Sequence, residues 1–132
     1  GFIPVVDTFA QFGVTKGNLP LIMSQLSQGA VICLFSHTGF QDAADGASHQ
    51  ATTYFSAVAG IPNTNVIALS TRDEAESYMY QAIKKYEEAT LKGEVPETTV
   101  FFFGREKHPI SYLGDSAQYE WGKAQILRQG TS

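Results

Sequence analysis

The sequence predicts an α/β domain in three layers: a mostly parallel sheet with helices on both faces. Three observations predict it. Residues 30–35 (A-V-I-C-L-F) form an apolar run with no alternation, the pattern of a strand buried on both faces. Residues 98–103 (T-T-V-F-F-F) have an equally unbroken apolar centre. Between such runs lie segments with helical periodicity, so strand and helix alternate along the chain. Crossovers of this kind are right-handed, and ligands then sit beyond the carboxyl ends of the strands.

Taken in order, residues 3–6 (I-P-V-V) read as a short strand with Pro4 at its start. Asp7 or Thr8 is placed to cap a helix, on which Phe9 and Phe12, three apart, share a face. Gly13, Gly17 and Pro20 break that helix, and residues 19–26 resume as a second one. After the strand at 30–35 comes a polar loop, then a helix over 48–59 ending at Gly60. Pro62 and Asn63 turn the chain into a strand at 66–69. Thr71-Arg72-Asp73-Glu74 has the form of a capping box. Behind it Ala75, Tyr78, Met79, Ala82, Ile83 and Tyr86 keep one apolar stripe over three turns, closed by Lys92-Gly93. A loop through Pro96 leads into the strand at 98–103. Residues 124–127 (A-Q-I-L) read as a last short strand.

A chain of 132 residues is long enough for one domain with a real core. The net charge of −4, with no Lys/Arg stripe, argues against a nucleic-acid partner. No apolar run reaches membrane-spanning length and no signal peptide is visible, which argues against a membrane partner. The single cysteine, Cys33, lies inside an apolar run and reads as a buried thiol. A reducing, cytoplasmic location is the expectation.

The chemistry concentrates in residues 36–50, S-H-T-G-F-Q-D-A-A-D-G-A-S-H-Q. His37 ends one predicted strand and Arg105 follows another, so both fall on the ligand-binding rim. Asp45 and His49 lie four apart on the same loop. Two histidines, a carboxylate and an arginine suit a hydroxylated, phosphorylated metabolite: arginine grips phosphate or carboxylate, and histidine moves protons near neutral pH. His37, Asp42, Asp45 and His49 are also credible metal ligands, but their spacing matches no recognised zinc pattern, and no metal site is assigned. Neither a nucleophile elbow nor a phosphate-binding glycine loop is present. Taken singly, each residue has a plainer reading as a turn, a strand cap, a core aromatic or a surface ion-pair partner.

Together, the loop resembles the transketolase signature, a His-led loop ending in D-G-x-[ST]-H-Q. The flanking segments agree. Thr8-Phe9-Ala10-Gln11-Phe12 resembles the family's T-F-x-x-F, and Ile61-Pro62-Asn63 its I-P-x turn. Asp73-Glu74-Ala75 opens the following helix, and Phe103-Gly104-Arg105 lies where the family has S-R-Q. The run from Trp121 to Gly130 resembles the lead into a C-terminal domain. The resemblance implies a transketolase-like pyrimidine-binding domain over residues 1–115, with its N-terminal part truncated, and a linker over 116–132. It implies an enzyme that moves a two-carbon ketol unit between sugar phosphates with thiamine diphosphate and magnesium. It also implies a homodimer, or pairing with the pyrophosphate-binding domain of a partner chain.

By the same resemblance, Phe9 and Phe12 stack on or enclose the aminopyrimidine, and His37 and Arg105 bind the substrate phosphate. Asp45 holds a substrate hydroxyl, and His49 is the catalytic proton-transfer group. The family's ring-protonating glutamate lies upstream of T-F-x-x-F, and the diphosphate and metal ligands belong to the other domain. The isolated chain is therefore expected to be inactive. Thr15 stands where a third aromatic is usual, and Ala44 where the loop often has Glu. Other thiamine-diphosphate enzymes share this domain, 1-deoxyxylulose 5-phosphate synthase and the 2-oxo-acid dehydrogenase β subunit among them. A non-catalytic dimerisation module keeping the fold is the remaining alternative.

Overall fold

A computed structural model describes residues 1–41 and 44–131. Four strands form one sheet: β1 (Val5–Phe9), β2 (Ile32–Ser36), β3 (Thr64–Leu69) and β4 (Thr98–Phe103). The order is β1-β2-β4-β3, and all three pairings are parallel. The helices are α1 (Ala10–Thr15), α2 (Asn18–Leu26), α3 (Tyr54–Ala59) and α4 (Arg72–Leu91). The chain steps from β1 to β2 to β3 in one direction, then returns to β4 in the middle. With crossovers of one hand, that reversal sends α4 to the opposite face.

Side-chain alternation along the strands confirms the three layers. Cys33, Phe35, Val66, Val100 and Phe102 pack with Ala10, Val14, Leu21 and Val58 of α1, α2 and α3. Ile32, Leu34, Ile67, Leu69, Phe101 and Phe103 pack with Ala75, Tyr78, Met79 and Ala82 of α4. Tyr119 and Trp121 join this second core, and the Tyr78 hydroxyl lies 3.2 and 3.3 Å from the carbonyls of Glu120 and Lys123. The carboxy-terminal segment is thus strapped to α4. No described helix is long and apolar enough to cross a membrane.

Several boundaries differ from the sequence expectation. The first strand runs on through Asp7 and Thr8 to Phe9, so neither residue caps α1; Phe9 itself is the N-cap, without a side-chain bond. Pairing with β2 as far as Phe9↔Ser36 outweighs the local capping signal. Gly13 lies inside α1 rather than breaking it. A Cβ there would come 2.5 Å from the Phe35 ring, so glycine lets α1 sit directly on β2. The helix after the loop begins at Tyr54, not at 48, because residues 47–49 are held in a turn closed by His49 N–H to Gly46 carbonyl, 3.1 Å. Residues 124–127 form no strand. The capping box of α4 is formed as expected: Thr71 Oγ1 accepts from Glu74 N–H, and Glu74 accepts from Thr71 N–H, both at 3.1 Å.

Two outcomes test this core. Gly13→Ala forces Phe35 or α1 to move, and overpacking of this kind costs about 1–3 kcal/mol, read as a lowered denaturation midpoint. Burial pushes the Cys33 thiol up from its ordinary 9.0 to about 12. The neutral thiol therefore stabilises the fold fully below pH 9, and that contribution is lost as pH rises from 9 toward 12. Accordingly, Cys33 should resist alkylation at pH 8 until denaturant is added, and Cys33→Ser should lessen the fall in stability above pH 9.

Candidate functional site

Because every strand is parallel, all four carboxyl ends meet at one edge of the sheet. Phe9 ends β1, His37 follows β2, and Gly104 and Arg105 follow β4. The connection from β2 to α3 must cross the end of β4 to reach β3. It is held as it crosses: Thr38 N–H donates to the Phe103 carbonyl at 3.3 Å. Its neck is closed by reciprocal bonds between Gly39 and the fully buried Ala51, at 2.9 and 3.0 Å. The loop therefore folds back over the strand ends rather than into solvent.

Four rings gather beneath it. Phe9 and His37 have centroids 4.0 Å apart, and Phe9 and His49 5.6 Å. His49 meets Phe12 edge-on at 4.9 Å and 73°. Phe9 and Phe12 lie nearly parallel, 6.0 Å apart at 14°. Their proximity comes from the strand-to-helix corner between β1 and α1, not from a shared helix face. Each histidine is oriented by a neighbouring hydroxyl: Nδ1 of His37 lies 2.8 Å from Ser36 Oγ, and Nδ1 of His49 2.9 Å from Ser48 Oγ. His37 adopts φ +58°, uncommon for a residue with a side chain and a frequent mark of functional corners.

Phe9, Phe12, His37 and His49 are thus brought together. Asp45 is exposed, at a turn with Gly46 (φ +77°), and its carbonyl accepts from Ser48 Oγ at 3.4 Å. Arg105 is exposed beside the same loop, its N–H donating to Gln41 Oε1 at 2.7 Å. Asp42, weighed as a metal ligand, lies outside the described residues. Among the described residues no group of three or more His, Cys, Asp and Glu gathers for a metal. Ser36, Ser48 and Gln41 were not singled out from the sequence. The two serines carried a signal, as hydroxyls adjacent to histidines; Gln41 carried none.

Phe12 also lines an apolar groove of about 650 Å³ with Thr8, Gly13, Lys16 and Phe35. A flat heteroaromatic ring fits its apolar wall. It does not fit between Phe9 and Phe12, since two stacking contacts need roughly 7 Å or more and the rings are 6.0 Å apart. Thr15, which stands where the resemblance makes a third aromatic usual, turns its hydroxyl back to the Gln11 carbonyl at 2.6 Å.

A family model, the pyrimidine-binding domain of transketolase, matches residues 1–91, from before β1 to the end of α4. β4, at the heart of the sheet, lies beyond the matched residues. No curated protein matched the chain.

The ring cluster is directly testable. Phe9→Leu should shift the ring-proton resonances of both His37 and His49, and Phe12→Leu those of His49. Unmoved resonances in both variants would mean the rings are not assembled as described. The match over most of the chain and the parallel α/β sheet agree: this chain belongs to the transketolase pyrimidine-binding domain family, a domain of thiamine-diphosphate-dependent enzymes.

Proposed function

We propose that this chain is the substrate-facing domain of a transketolase-like transferase, moving a two-carbon ketol unit between sugar phosphates. The observation that carries the reading is the gathering of Phe9, Phe12, His37 and His49 at the carboxyl edge of the sheet. In this reading Phe9 and Phe12 provide the apolar surface for the aminopyrimidine. The bound cofactor supplies the nucleophilic carbon needed to break and form bonds beside a carbonyl. The diphosphate and its magnesium are held by a pyrophosphate-binding domain, that of a second copy or of a partner chain.

The chain's own residues then bind, orient and move protons. Ser48 engages Nδ1 of His49, so the proton passes through Nε2, to and from the substrate oxygen at the reacting carbon. Ser36 engages Nδ1 of His37 in the same way, leaving Nε2 to face the substrate phosphate. Arg105 takes that phosphate with its planar, permanently charged fork. Asp45, an acceptor when ionised, holds a hydroxyl of the sugar and sets its register. Orientation of this kind supplies much of the rate, because it converts encounter into a positioned reaction.

In the complete, cofactor-loaded protein, His49→Ala should lower turnover of a ketose phosphate donor by about 10²–10⁴-fold, the usual cost of losing one acid–base group. Undiminished transfer in that variant would remove His49 from the mechanism. Preference for pyruvate over a ketose phosphate as donor would move the protein to another thiamine-diphosphate class.

A further inference from the structure

Gln41 belongs to no role assigned so far, yet its side chain makes a direct link between the loop and the chain just beyond β4. Its Oε1 accepts the Arg105 N–H at 2.7 Å, across 64 residues of sequence. The contact depends on a neighbour with no side chain. A Cβ on Gly104 would lie 2.0 Å from Gln41 Oε1 and 2.9 Å from its Nε2, closer than real Cβ atoms come. The Gln41 amide thus occupies the space where any other residue at 104 would place its first carbon.

The contact is exposed, and neighbouring bonds tie down the chain on both sides of it. Residues 38 and 39 on one side of Gln41 are tied to Phe103 and Ala51 by backbone bonds. The loop is therefore anchored where Gln41 leaves it, and so is the end of β4 where Arg105 begins. Gln41 fixes the Arg105 backbone relative to the loop that carries His37 and His49. An arginine side chain is long and loses much rotational freedom when it grips a ligand. Anchoring its main chain lowers the part of that cost that comes from backbone motion.

We infer that Gln41, admitted by Gly104, is a positioning residue that holds Arg105 at the reach of a ligand phosphate. This rests on the reading of Arg105 as the phosphate-binding group. Gln41 touches no substrate atom in this role and acts only through Arg105. Its loss should therefore be felt by a phosphorylated sugar and not by the same sugar without its phosphate.

The test is calorimetric binding of fructose 6-phosphate and of fructose to the complete, cofactor-loaded protein and three variants of it: Arg105→Ala, Gln41→Leu and Gly104→Ala. Gln41→Leu keeps the bulk but removes the acceptor; Gly104→Ala expels the amide by sterics. The expected result is loss of the phosphate-dependent affinity in Arg105→Ala. Both other variants should weaken fructose 6-phosphate about three- to ten-fold, the scale of one hydrogen bond, and leave fructose unchanged. In the double variant Gln41→Leu/Gly104→Ala the two effects should not add, since both remove one interaction. If Arg105→Ala abolishes the phosphate preference while Gln41→Leu and Gly104→Ala leave it intact, the inference is overturned and the site reading stands. If fructose 6-phosphate shows no advantage over fructose, or Arg105→Ala does not change it, the phosphate role of Arg105 falls, and Gln41's with it.

Discussion

Burial of β4 on both faces is the constraint on which the rest of the structure depends. Thr98 to Phe102 are essentially inaccessible, and the strand pairs with β2 on one side and β3 on the other. Val100 and Phe102 anchor the core beneath α1–α3, and Phe101 and Phe103 the core beneath α4. Such a strand can hold no unpaired polar group. Of the two buried threonines at its amino end, Thr98 has its hydroxyl doubly engaged: Oγ1 accepts from Val31 N–H at 3.1 Å and also meets the Gln25 amide. The amino end of β4 is thereby locked to β2 and α2, and the strand's direction is set.

With that direction set, the carboxyl end has little freedom. The last strand in sequence occupies a central place in the sheet, so the β2-to-α3 connection has to pass over it. That crossing turns a surface loop into a roof. The Phe103 carbonyl and the Arg105 N–H, which would otherwise face solvent, take their partners from Thr38 and Gln41 of the loop. The loop's histidines are in turn pressed against aromatic rings at the β1–α1 corner. Structural satisfaction of the strand end and assembly of the site are the same set of contacts.

Local geometry yields to this arrangement at definite points. His37 accepts a left-handed backbone immediately after β2, glycine at 13 leaves room for the Phe35 ring, and glycine at 104 leaves the space that the Gln41 amide takes. These positions break local rules where the site is built, as expected where tertiary contacts over-determine a conformation. The contrast with α4 is instructive. Its capping box and apolar stripe agree at every level, and it lies on the other face of the sheet from the ring cluster.

The sequence by itself determined the elements whose signals are local or strictly periodic. β4 follows from an unbroken apolar run, α4 from its cap and stripe, and the parallel α/β class from their alternation. The order of residues in the loop identified the family, because chemistry placed at fixed spacing survives without knowledge of the fold. Only the tertiary structure decided where β1 ends: Asp7 and Thr8 look like caps, but pairing with β2 continues to Phe9. It also decided that 47–49 are a turn rather than a helix start, closed by the His49 N–H on the Gly46 carbonyl. Gln41 was illegible for the same reason. Its partner lies 64 residues away, and no periodicity or motif connects a glutamine in a loop to a glycine beyond a distant strand. Proximity of that kind arises only when the sheet brings strand ends together.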